Sequence, residues 1–118
     1  MTILVTGSSG FVAQSLIPKL EKLGFDVIGL DWKNGEHTKI IHDITKPLEI
    51  DDEINIIIHL AARLEHERCS KEEFFKTNVD GTEQVLNLAN SKNAYFIYVS
   101  TTAVYGSPES PITENTSI

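Results

Sequence analysis

The chain has 118 residues, 41% hydrophobic and 23% charged, which fits one globular domain with a real core. Its formal net charge of -7 argues against nucleic acid, whose binding relies on Lys and Arg to neutralise phosphate. The single cysteine, Cys69, excludes an internal disulfide, and there is neither a charged leader nor an apolar run long enough to span a bilayer, so a cytoplasmic protein without membrane association is expected.

Met1 to Val5 reads as a buried strand that ends at Thr6-Gly7. Ser9 to Leu23 then places Phe11, Val12, Leu16, Ile17, Leu20 and Leu23 at helical spacing, with Lys19, Glu21 and Lys22 opposite. Pro18 lacks a backbone donor and should kink this helix, and Gly24 should close it as a left-handed cap. Phe25 to Asp31 is a second strand that ends in an acid, and 32–38 is loop. Lys39 to Asp43 reads as a short third strand, followed over 45–53 by a turn and a weak helix limited by Pro47. Ile54 to Leu60 is the most apolar run and reads as a central parallel strand covered on both faces. A long helix is expected from Lys71 to Leu88 or Asn90, with Ser70 as its N-cap and Glu72-Glu73 in its first turn. Ala94 to Val99 is a fifth strand, after which Ser100, Thr101 and Thr102 lead into loop.

This alternation describes an α/β fold, an open, doubly wound parallel sheet with right-handed crossovers. In such sheets ligands bind beyond the carboxyl ends of the strands, and Gly7, Asp31, Asp43, Ala61 and Ser100 all lie there. Gly7 permits the tight turn from strand to helix, while Gly10, without a Cβ, lets phosphates approach the backbone at a helix N-terminus. Asp31 follows Gly10 by 21 residues, the spacing at which an acid reaches both ribose hydroxyls of an adenosine. A carboxylate there would repel a 2′-phosphate, so NAD is expected over NADP, although Lys33 lies close by.

Other positions carry two readings each. Asp43 either caps a turn or takes the amine of an adenine while Ile44 packs on the ring. Ala61 and Ala62 either leave room for a ribose or pyrophosphate or are merely compact. Asn78 either ties its helix to a neighbouring strand's backbone or faces water. The hydroxyls of Ser100 to Thr102 either hold a substrate oxygen or cap the strand end, and none could act alone as a base. His37, His42, His59, His66 and Cys69 lack metal-ligand spacing, so no metal is expected, and His59 reads as a satisfied core histidine. Glu65 to Arg68 reads as a solvated segment that could border a substrate pocket.

The motifs together resemble the extended short-chain dehydrogenases/reductases, the NAD-dependent epimerase/dehydratase family. TGSSGFVA from Thr6 to Ala13 matches the family's TGxxGFxG/A turn, and His59 to Ala62 its HLAA segment. Asn78 to Thr82 matches its NVxGT helix signature, Val99 to Gly106 its S-S/T-x-x-VYG segment and Pro111 to Glu114 its PxTE loop. The resemblance implies a Rossmann-like fold and a cofactor site in which Gly7, Gly10, Phe11 and Val12 line the pyrophosphate, with Ser9 in the same turn. It implies that Asp31 holds the adenosine ribose, Asp43 and Ile44 the adenine, and Leu60, Ala61 and Ala62 the nicotinamide side. Asn78, Val99 and Ser100 complete those contacts, and Thr101 is the catalytic residue that hydrogen-bonds the reacting sugar oxygen.

The implied activity is NAD-dependent epimerisation or oxidoreduction of a nucleotide sugar by a homodimer whose contact includes the helix at 71–90. Two departures bear on this. Sugar dehydratases carry Asp-Glu after the threonine, where this chain has Thr102-Ala103, which disfavours dehydration. The family's Tyr-x-x-x-Lys pair is also missing, its expected place falling after Ile118, and Tyr105 of the VYG motif cannot stand in for it because position 109 is Glu109. The sequence is therefore expected to be an incomplete, N-terminal cofactor-binding portion, inactive alone. Its fifth strand would be an exposed edge prone to association. The rival expectation is a non-catalytic dinucleotide-binding module.

Overall fold

The computed structural model describes residues 1–64 and 67–118. Five parallel strands form one sheet: β1 (Thr2–Thr6), β2 (Asp26–Asp31), β3 (Ile40–Ile41), β4 (Ile56–His59) and β5 (Tyr95–Tyr98). Their spatial order is β3-β2-β1-β4-β5. The fold is the Rossmann-like, doubly wound α/β sheet that the alternation of elements predicts. The apolar runs explain the layering. Alternate residues of a strand point to opposite faces, so Ile3 and Val5 of β1 go one way and Leu4 the other. Ile3, Val5, Val27 and Ile58 pack on Ala13 and Ile17 of α1 (Phe11–Lys22). Leu4, Leu30 and Ile57 pack on Val85, Leu88 and Ala89 of α3 (Thr82–Lys92).

From β1 the chain winds outward through β2 to β3, then returns across the sheet to β4. The order reverses between β1 and β4, and a crevice opens there at the carboxyl ends of the strands. Gly7 and Leu60 stand directly after those two strands.

The first helix begins at Phe11, later than the apolar spacing predicts, because Ser8 to Gly10 form a turn and extended Gly10 (φ -82°, ψ 170°) is the N-cap. Pro18 does not end the helix. It stops in a Schellman motif, in which Gly24 (φ +93°) donates to Glu21 O at 2.9 Å and Phe25 N–H to Leu20 O at 3.2 Å. Only Ala13 and Ile17 of this helix are buried, whereas Phe11, Val12 and Leu23 are exposed, so its apolar face is narrower than predicted.

The weak helix expected within 45–53 is not formed. Asp43 folds the chain into an Asx turn onto Thr45, Pro47 follows, and Ile50 and Ile54 are buried in irregular backbone beside α3. The helical run after Ser70 is longer than expected and of three kinds: α2 (Lys71–Phe75), a π segment (Lys76–Gly81) and α3. Ser70 is the N-cap, its Oγ accepting from Glu73 N–H at 3.1 Å. Ser70→Ala is expected to cost about 1 kcal/mol, read as a lower urea midpoint at unchanged slope. Asn93 closes α3 in the left-handed conformation (φ 51°). Among the described residues β5 is an edge strand paired only with β4, and Tyr95, Ile97 and Tyr98 are exposed.

Candidate functional site

The crevice at the strand ends is a cleft of about 610 Å³. Its floor is a contact of backbone on backbone. A Cβ on Gly7 would lie 2.9 Å from Ala61 N and 3.0 Å from the Leu60 carbonyl carbon, and Gly7 sits at φ +74°. Both facts require glycine: the first for room, the second for conformation. Gly10 N–H closes the turn onto Gly7 O at 3.0 Å. Gly10, as N-cap, offers no side chain to the first turn of α1, and that turn holds no acid. The amides and positive dipole end of a twelve-residue helix are thus left for an anion.

Asp31 ends β2 and is buried against this turn. Its Oδ2 accepts from Ser9 N–H and its Oδ1 from Lys33 N–H, each at 3.0 Å. Asp31 lines the cleft, and each carboxylate oxygen has accepting capacity beyond its one backbone donor, enough for two hydroxyls. Ser9 lines the cleft too, but its hydroxyl donates to Lys33 O at 3.0 Å and pairs with Thr38 Oγ1 at 2.8 Å. That side chain clasps the 32–38 loop to the glycine turn.

Asp43 and Ile44 line the far end. Asp43 Oδ1 accepts from the Thr45 amide at 2.9 Å and hydroxyl at 2.7 Å. Burial pulls its carboxyl pKa up, but the Thr45 hydroxyl and amide, with Lys46 and His42 nearby, outweigh that and hold it below its ordinary value. The turn reading of Asp43 is therefore present, and it leaves the residue on the cleft surface. Ile44 is mostly core, under the π segment, where a Cβ on Gly81 would come within 2.8 Å of Ile44 Cδ1.

Leu60, Ala61 and Ala62 form the wall beyond β4. Asn78 holds that wall: its Oδ1 accepts from Arg63 N–H at 2.8 Å and its Nδ2 donates to Arg63 O at 3.1 Å. The amide thus ties its helix to the backbone following a strand, one of the two readings open for it.

The cleft brings together Gly7, Ser9, Gly10, Asp31, Asp43, Ile44, Leu60, Ala61 and Ala62. Phe11 and Val12 lie beside the turn with side chains exposed outside the cleft, and Asn78 acts behind it. Val99, Ser100 and Thr101 stand past β5, next to the end of β4, where Val99 N–H reaches His59 O at 3.4 Å. They are exposed and do not line the cleft. Thr101 Oγ1 accepts from Ala103 N–H at 3.1 Å, which leaves its own hydrogen free to donate.

One group was missed. Trp32 carries Lys33 Nζ at 4.7 Å and Arg63 Cζ at 5.1 Å from its ring centroid, and Arg63 pairs with Glu67 at 3.3 Å. This places an indole and two cations in the lining of the cleft that also holds Asp31. Trp32 and Arg63 each follow shortly on a strand end, the one signal that could have marked them.

His59 is a satisfied core histidine, 1% exposed, with both ring nitrogens bonded, and burial pushes its pKa down to about 4. Among the described residues no group of three His, Cys, Asp or Glu could hold a metal, and no helix is long and apolar enough to cross a membrane. Glu65 and His66 lie outside the described residues, so the reading of 65–68 as a solvated segment concerns only Glu67 and Arg68 here.

The sequence model of the NAD dependent epimerase/dehydratase family matches residues 3–118. The chain is 35% identical over 123 residues to UDP-glucuronic acid decarboxylase 1 of Arabidopsis thaliana, an alignment covering 92% of this chain and 28% of that protein. It is 35% identical to UDP-glucuronic acid decarboxylase 1 of Danio rerio, covering 91% and 29%. Among solved structures it superposes with a TM-score of 0.85 on a short-chain dehydrogenase/reductase superfamily protein from Agrobacterium tumefaciens with bound NAD, at 25% identity over 99% of this chain and 38% of that one. With the ADP-L-glycero-D-manno-heptose-6-epimerase of Helicobacter pylori the TM-score is 0.84, at 27% identity over 97% and 43%. The chain thus spans less than a third of the length of these curated relatives and less than half of these structures.

Proposed function

The chain belongs to the NAD dependent epimerase/dehydratase family, and on that premise we propose that these 118 residues are the NAD-binding portion of an enzyme acting on nucleotide sugars. The observation that carries the reading is the pairing of Gly7 and Asp31 at the reversal of strand order. A glycine turn closed against Ala61 leaves phosphates room at the start of α1, and a buried carboxylate stands ready for two ribose hydroxyls. Relatives that are named as UDP-glucuronic acid decarboxylases and as a heptose epimerase support a nucleotide sugar as substrate.

Bound in the cleft, NAD would supply the hydride acceptor and donor for a sugar carbinol and its ketone. The residues of the chain then do the holding. The first-turn amides of α1 take the pyrophosphate, Asp31 the adenosine ribose, and Asp43 with Ile44 border the adenine. Leu60 to Ala62 support the nicotinamide side, with Asn78 fixing their backbone from behind through Arg63. Thr101, with its hydroxyl hydrogen uncommitted, donates to the reacting sugar oxygen. Epimerisation or net oxidoreduction fits this set better than dehydration, because Thr102-Ala103 brings no acid next to Thr101.

A homodimer belongs to the same reading. Phe75, Val79 and Leu86 are exposed on the helical run from Lys71 to Lys92, apolar side chains available to a second copy. A cytoplasmic location accords with the lone Cys69 thiol.

The test is titration with NAD+ and NADP+ by calorimetry, on the protein and on Asp31→Ala. NAD+ should bind more tightly than NADP+, and Asp31→Ala should weaken NAD+ by about thirtyfold, near 2 kcal/mol, for the lost charge-assisted hydrogen bonds. Tighter binding of NADP+ would reverse the assignment of Asp31 and put Lys33 and Arg63 in its place.

A further inference from the structure

The buried ring of His59 is joined on both sides, and the direction of every hydrogen bond around it can be deduced. Thr82 Oγ1 donates its only hydrogen to Asn78 O at 2.7 Å. It can therefore only accept from His59 Nε2, 3.0 Å away, so Nε2 carries the ring proton. In the neutral ring Nδ1 is then bare and accepts from the Thr6 hydroxyl at 2.7 Å. Thr6 Oγ1 in turn accepts from Ala61 N–H at 3.2 Å. The chain of donors runs one way, from Ala61 through Thr6, His59 and Thr82 to the Asn78 carbonyl. Phe96 and Tyr98 of β5 stack on the ring at 5.9 and 6.0 Å and fix its plane. No buried side-chain nitrogen or oxygen among the described residues is left without a partner.

Both ends of this relay reach the cleft. Ala61 is the residue on which Gly7 packs, and Asn78 holds Arg63 two residues further along the same loop. We propose that His59, as its Nε2–H tautomer, is a positioning residue that makes the cleft floor at Ala61 and the π segment at Asn78 one rigid unit. The ring touches no ligand; it acts through Thr6 and Thr82. The part of this inference that concerns affinity rests on the NAD reading of the cleft, whereas the relay itself does not.

The first measurement is nitrogen NMR of the histidine rings at neutral pH in the unsubstituted protein, which should find His59 protonated at Nε2 and bare at Nδ1. The opposite tautomer overturns the proposal whether or not any nucleotide binds. Thr82→Val removes both the acceptor for Nε2–H and the donor to Asn78. It should erase the tautomer preference, speed amide exchange at Ala61 and Arg63 together, and weaken NAD+ about tenfold. Thr82→Ser should restore all three readouts to within about twofold of the original. A folded Thr82→Val protein with unchanged exchange at both amides, or a serine variant as impaired as the valine one, sinks the relay. Failure of the unsubstituted protein to bind NAD+ sinks the reading of the cleft instead, and the tautomer and the exchange rates still decide the relay.

Discussion

Gly7→Ala is expected to weaken NAD+ binding about a hundredfold and to destabilise the fold by about 3 kcal/mol. Two independent costs add at this position. An L side chain at φ +74° occupies the left-handed region at a cost of about 1–2 kcal/mol. The new methyl would also stand 2.9 Å from Ala61 N and 3.0 Å from the Leu60 carbonyl carbon. Both are backbone atoms with no rotamer to yield, so β1 and β4 would have to part at the point where the cleft has its floor. Parting them breaks the Ala61 to Thr6 bond and widens the crevice in which the pyrophosphate is proposed to bind. The comparison that isolates the effect is Gly24→Ala. Gly24 is likewise left-handed at φ +93° but meets nothing within 4 Å, so it pays only the conformational cost. Urea unfolding and NAD+ calorimetry on the two variants should give a modest stability loss with unchanged binding for Gly24→Ala, and losses of both for Gly7→Ala. Equal behaviour of the two would show that the contact with Ala61 does not shape the site.

The glycine turn and Asp31 were legible in the sequence because the physics that places them is local. A strand end, a turn that needs positive φ and a helix start follow one another within a few residues, and the next strand brings its terminal acid back alongside. The narrow face of α1 was not legible. Periodicity groups Phe11 and Val12 with Leu16, Ile17 and Leu20 on one apolar face, yet they stand at the start of the helix beside the cleft and are exposed. The missing helix in 45–53 is another case of local propensity overruled. Asp43 satisfies Thr45 in a turn, and the apolar Ile50 and Ile54 reach the core from irregular backbone. The π segment was hidden because it depends on partners far along the chain, Arg63 for the Asn78 amide and Ile44 under Gly81. So did the role of His59, whose partners lie 53 residues before it and 23 after. An apolar run with a histidine announces burial, not which nitrogen bears the proton.

That buried histidine should dominate the acid sensitivity of the fold. In an unfolded chain His59 titrates near its ordinary 6.5, whereas in the folded protein burial pushes it down to about 4. Above pH 6.5 neither state binds the proton and stability is full. As pH falls from 6.5 toward 4 the unfolded state takes up a proton that the folded state refuses, and stability is lost. Below 4 both states are protonated and the loss is complete. At about 1.4 kcal/mol per pH unit, that interval amounts to about 3 kcal/mol, a large part of what a small domain possesses. Asp43 acts in the same sense but lower, since a carboxyl held below its ordinary 3.8 gives up its contribution only beneath that pH. The two are therefore separable along the pH axis. Urea midpoints measured from pH 7 to 4 should fall steeply in the unsubstituted protein and much less in His59→Gln. Glutamine keeps a donor toward Thr82, has no proton to gain in this range, and starts from a lower stability because the Thr6 hydroxyl loses its acceptor. The curves of the two proteins should thus converge as the pH falls. Parallel curves would mean that His59 is already able to take a proton in the folded state, and that the acid sensitivity arises elsewhere.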